Sequence, residues 1–164
     1  MVGASGTLAM TASKLYYVTA SFAPGQLDRI ALRVTTGGGS GSVIRVGIYA
    51  PAANGLPGAL VVDLGTQVST GTGTLEWTTT AAVSGLTIFG AVAQVGTAPT
   101  ISAVSSVDAC RASSGATYFA AADLNLFANG VGGYSETSVT GALPASATPV
   151  ADGGSFPVFG IRWV

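Results

Sequence analysis

The sequence predicts an all-β fold, an antiparallel β-sandwich of jelly-roll type in a single domain, on three observations. Apolar residues recur at period 2 in runs bounded by Gly and Pro. No capping box leads into an apolar stripe at period 3.6, so helix signals are nearly absent. The chain holds 24 Gly and 7 Pro in 164 residues, which supplies turns at the spacing a sandwich needs.

The elements follow in order. Residues 1–13 are expected to be an N-terminal arm, and residues 14–164 the sandwich. Lys14 to Phe22 reads as the first strand, closed by Pro24-Gly25. Tyr16, Val18, Ala20 and Phe22 share one face; Leu15, Tyr17 and Thr19 take the other. Leu27 to Thr35 is the second strand, with Ile30, Leu32 and Val34 inward and Arg29, Ala31 and Arg33 outward. Gly37 to Gly41 reads as a flexible hairpin loop. Ser42 to Tyr49 aims Ile44, Val46 and Ile48 inward and Arg45 outward. Asn54-Gly55 and Pro57-Gly58 are tight-turn pairs. Leu60–Leu64, Leu75–Thr79 and Leu86–Val95 are further strands, with a loop or short edge from Thr66 to Thr74. In the second half, Ile101–Val107 and Thr117–Ala121 read as strands. Asn125–Thr140 and Leu143–Ser155 read as long loops, where function often resides. Phe156 to Val164 closes the chain as a strand, with Phe159, Ile161 and Trp163 on one face.

Charge is scarce. Asp, Glu, Lys and Arg make up 8% of the chain, against about 25% in ordinary soluble domains. Net charge is −1, the pI is about 5.0 and mean hydropathy is +0.57. The six cations form no basic stripe, which argues against nucleic acid as a partner. The longest apolar run, Ala81 to Val95, is broken by Ser84, Gly85, Thr87 and Gly90. It is shorter than the roughly 20 residues of a membrane-spanning helix, so no membrane insertion is expected. The N-terminus lacks the basic and apolar regions of a signal peptide. So apolar a chain has surface to hide, and the natural cover is another copy of itself.

The path Leu15-Tyr-Tyr-Val18, Leu27-Asp-Arg-Ile-Ala-Leu-Arg-Val-Thr35, Ile44-Arg-Val-Gly-Ile-Tyr49 and Asn54-Gly-Leu-Pro-Gly-Ala-Leu-Val-Val-Asp-Leu-Gly65 resembles a β-sandwich module of tailed-bacteriophage structural proteins. Gly133-Tyr-Ser-Glu-Thr137 and Val139-Thr-Gly-Ala-Leu-Pro144 add to it. The resemblance covers residues 14 to 144. It implies a virion protein of fibre, spike, tail or capsid-decoration type, on the particle exterior and commonly trimeric. No catalytic residue comes with it.

The residues themselves exclude most catalysis. The chain has no His and one Cys, Cys110, which removes the usual zinc sites and His-based nucleophilic catalysis. Gly37–Gly41 lacks the strand-to-helix setting and the Lys-Ser/Thr ending of a phosphate loop. Glu76, Glu136 and five Asp are scattered rather than paired across a cleft, as glycoside hydrolysis requires. Asp123, Asn125 and Asn129 are the only residues suggestive of calcium. No cofactor is expected.

Binding candidates are Tyr118, Phe127 and Tyr134, aromatics in the second-half loops with faces suited to sugars. Interface candidates are Arg29, Arg33 and Arg45, three of the six cations, expected on one polar face of adjacent strands. Trp77 and Trp163 are read as core. The expected function is a non-enzymatic, self-assembling virion protein of fibre or spike type that contacts other virion proteins and a host-surface glycan. A capsid-decoration protein that stabilises the head, and a carbohydrate-binding surface module, are the alternatives.

Overall fold

A computed structural model describes residues 6–104 and 133–164. The all-β antiparallel sandwich expected from the sequence is the fold observed, with no helix among the described residues. The strands are β1 (Gly6–Ala9), β2 (Leu15–Thr36), β3 (Val43–Pro51), β4 (Pro57–Val68), β5 (Gly73–Thr78), β6 (Ala82–Gln94), β7 (Thr100–Val104), β8 (Gly133–Glu136), β9 (Val150–Asp152), β10 (Phe156–Pro157) and β11 (Gly160–Trp163).

The organising element is β2, 22 residues long and shared by both sheets. Its first half pairs β6 along one edge and β8 along the other, within a long sheet ordered β4-β3-β6-β2-β8-β9. Its second half pairs β5 on one edge and β11 on the other, within a short sheet. There β7 continues the β11 side, adjoining β2 and β10 on one edge and β1 on the other. The Pro24-Gly25 stop is therefore corrected: it is a bulge between Phe22 and Gly25 where the strand passes from sheet to sheet. Pro24 is tolerated there because a bulge residue owes no ladder hydrogen bond.

The face assignments hold along this strand. Tyr16, Val18, Ala20 and Phe22 join Ile30, Leu32, Val34, Ile44, Val46 and Ile48 in the core between the sheets. Trp77, Phe89 and Phe156 fill its centre, and Phe159 packs against Phe89 with ring centroids 5.4 Å apart.

Other expectations are revised. The N-terminal segment is not all arm, since β1 pairs β7 through Gly6↔Ala103 to Ala9↔Thr100 and Met10 is buried in the core. The loop read over residues 125–140 contains β8, and that over 143–155 contains β9. Neither is long enough to show a period. Residues 37–41 do not close a hairpin, because β2 and β3 are not paired with each other. They are pinned: Gly38 N–H donates to Ser69 O, Gly39 N–H to Thr97 O, and the Ser42 and Ser69 hydroxyls bond at 2.9 Å. A Cβ on Gly37 would lie 2.1 Å from Thr70 O. These glycines serve close backbone approach rather than looseness. The strand read at Thr117–Ala121, and Cys110, lie outside the described residues.

Candidate functional site

The middle of the long sheet is buried on both faces. Its outer face carries Leu15, Tyr17, Tyr49, Ile88 and Val92, all 1% exposed or less. Register explains the arrangement. Tyr17 of β2, Gly90 of β6 and Gly47 of β3 stand side by side in one row across three strands. The two glycines leave a hollow. Tyr49 and Leu15 lean over Gly90, where a Cβ would meet them at 3.0 and 3.1 Å. Leu143 drops onto Gly47, where a Cβ would lie 2.3 Å from its Cδ1.

Leu143 belongs to a strap, residues 137–149, that crosses the sheet. Its backbone is tied down at each step. Val139 N–H donates to Ser13 O, Leu60 N–H to Ala145 O and Ala147 N–H to Gly58 O. The Gln94 amide donates to Gly141 O at 2.7 Å. Leu143 N–H donates to Asp63 Oδ2, and Thr148 N–H to Glu136 Oε2 at 2.8 Å. The Tyr17 hydroxyl donates to the same Glu136 oxygen at 2.9 Å. The segments Gly47-Ile-Tyr49, Pro57-Gly-Ala-Leu60 and Val139–Pro144, distant in sequence, thus meet at one place. Their shared role is packing.

This region is chemically quiet. Burial drives the Tyr17 phenol far above its usual range, with Tyr49 and then Glu136 adding to the effect. Burial does the same to Tyr49. Both stay protonated and neither supplies a base. Asp63 is held below the usual carboxylate range: burial opposes this, but hydrogen bonds from Arg45, Gly65 N–H and Leu143 N–H outweigh it. Arg45 Nε lies 2.9 Å from both Asp63 oxygens.

An open cleft of about 560 Å³ lies beside the β8–β9 edge, lined by Lys14, Ser135, Glu136, Thr148, Val150 and Asp152 among others. Lys14 Nζ sits 2.5 Å from Asp152 Oδ2 and 5.1 Å from the centre of the Tyr16 ring. Burial alone would raise the Asp152 carboxyl, but bonds from Lys14, Ser135 and Gly154 N–H hold it low. Both carboxylates of the cleft are occupied within the protein. Among the described residues no cluster of three metal-ligating side chains occurs.

The sequence-selected residues separate. Tyr118 and Phe127 lie outside the described residues, as do Asp123, Asn125 and Asn129. Tyr134, on β8, is half-buried and packs against the Leu15–Tyr17 cluster. Arg29 and Arg33 lie on the outer face of the short sheet, where Arg29 pairs Glu76 at 2.6 Å. Arg45 lies on the long sheet, so the expected three-arginine face is corrected. The third member is Arg162, register partner of Arg29 and ion-paired to Asp28. Its signal was present in the sequence: alternation with Ile161 and Trp163 places it outward. The pairing of β11 with β2 was not readable. Trp77 is core at 2% exposure, but Trp163 is 41% exposed at the end of the sandwich, edge-on to Phe22 at 5.3 Å.

No protein-family model, curated protein or solved structure matches this chain.

Proposed function

We propose that this is a non-enzymatic structural protein of a tailed-phage particle, exposed on the exterior and working by self-association. The observation that carries the reading is how charge is disposed on the folded surface. Ten charged side chains lie among the described residues. Lys14–Asp152, Arg29–Glu76, Arg45–Asp63 and Arg162–Asp28 are ion pairs, and Glu136 bonds Tyr17 and the strap. Only Arg33 has neither kind of partner within that set. Exposed valines stand at Val61, Val68, Val95 and Val150. A surface so nearly neutral offers little electrostatic resistance to a second copy, and like-charge repulsion is what keeps many proteins apart.

The sequence resemblance supports the phage setting, and the fibre or spike role follows from it. The occupied carboxylates, the protonated tyrosines and the absence of His give no support to catalysis. Gold-labelled antibody against this chain, applied to particles of the phage that encodes it, tests the assignment. Label on tail fibres or spikes is expected. Label confined to the head would make it a decoration protein, and no label on particles would reject a virion role.

A further inference from the structure

We infer that the outer face of the short sheet is a docking surface for an extended acidic peptide segment of another protein, separate from the self-association proposed above. Half of the chain's cations, Arg29, Arg33 and Arg162, converge on this face. Arg162 stands directly opposite Arg29 in the β11–β2 register. Like charges in opposed cross-strand positions weaken a sheet, so the arrangement is not one that folding favours. Asp28 and Glu76 offset Arg162 and Arg29, which leaves the face net positive through exposed Arg33. The Arg29 Nε is enclosed and makes no hydrogen bond.

The floor between the arginines is low. Ala31 lies midway between Arg29 and Arg33, with Gly160 opposite it on β11 and Glu76, drawn to Arg29, opposite it on β5. A Cβ on Gly160 would meet Ala31 Cβ at 3.6 Å, ordinary contact, so the glycine leaves an open trough rather than filling a tight joint. Thr74 and Thr78 stand beside Arg33 and Arg29 on β5.

The spacing selects the occupant. Arg29 and Arg33 are four residues apart on one strand, about 13 Å at strand rise. An extended peptide lying along β2 repeats every second side chain at about 7 Å. Acidic residues at positions i and i+4 then reach Arg33 and Arg29, while residue i+2 rests over Ala31 and Gly160. Arg33, in no ion pair among the described residues, can meet a carboxylate in a two-point fork of its planar guanidinium, while Arg29 adds the charge left open beside Glu76.

The test uses the whole chain and immobilised poly-L-glutamate, with polygalacturonate as a competitor of equal charge concentration. Binding at low salt is expected, weakened about tenfold by Arg33→Ala and again by Arg162→Ala, as for loss of close charge pairs. Lys14→Ala removes the same charge at the β8–β9 cleft and is expected to leave binding unchanged. Arg33 is exposed and in no ion pair among the described residues, so Arg33→Ala is expected to melt with wild type and to form the same oligomer. No binding of wild type overturns the inference. So does loss of binding in Lys14→Ala equal to that in Arg33→Ala, since the effect would then be net charge alone. Tighter binding to polygalacturonate than to poly-L-glutamate overturns the peptide assignment.

Discussion

At single residues, the packing rests on a few close contacts. Gly47 is the sharpest. A methyl there meets Leu143 Cδ1 at 2.3 Å and the backbone oxygen of Val62 at 3.0 Å. Leu143 can swing aside, but the Val62 carbonyl is fixed in the β3–β4 ladder. Gly47→Ala is therefore expected to cost about 1–3 kcal/mol, the usual range for overpacking. Leu143→Ala is expected to cost about 2 kcal/mol or more through the vacated volume. The double variant should fall short of their sum by about 1 kcal/mol, because the second change relieves part of the first. Urea unfolding of the four proteins checks this; strict additivity would mean Leu143 does not seat on Gly47. Asp63 supplies a second residue-scale expectation. Its carboxyl is held below the unfolded value of about 3.9. The folded state then binds fewer protons than the unfolded one, so acid favours unfolding. The contribution is complete above about pH 4 and is lost as pH falls through the folded value. Asp63→Asn should be less stable at neutral pH and should show a shallower loss of stability below pH 4 by the same assay.

At the scale of elements, the strap is the distinctive piece. It covers Tyr17 and Tyr49 with little regular structure of its own, held by hydrogen bonds to Ser13 just ahead of β2, to Gly58, Leu60 and Asp63 of β4 and to Gln94 of β6. Such a segment opens more readily than the sandwich beneath it. Glu136→Ala removes the acceptor of both the Tyr17 hydroxyl and Thr148 N–H. Leaving a buried hydroxyl unpaired costs about 1–3 kcal/mol. Hydrogen exchange should then quicken at Val139, Leu143 and Ala147 while the amides of β6 keep their protection. Uniform loss of protection across both would show that strap and sheet unfold as one unit. The strap also marks the limit of what the sequence disclosed. Alternation located Ile30, Ile44 and Phe89 in the core because one strand face is enough to display it. It could not place Leu143, whose burial depends on the space left over Gly47 of β3. Nor could it show that Leu15 to Thr36 is one strand, since Pro24-Gly25 looks alike as a turn or as a bulge. Arg162 was missed for the same reason: its outward aim was readable, but its neighbour across the ladder was not.

At the scale of the whole molecule, the unusual quantity is charge. The chain has few charged residues, and folding turns most of them on one another, from Lys14–Asp152 at one edge to Arg162–Asp28 at the far sheet. The described surface is then mostly small polar and apolar groups, including half-exposed Trp163. Such a surface favours self-association. Sedimentation velocity of the purified full chain at neutral pH, from one to one hundred micromolar, tests this. A discrete species at a multiple of 16.0 kDa is expected, a trimer by the sequence resemblance. A single species at 16.0 kDa across that whole range would contradict it.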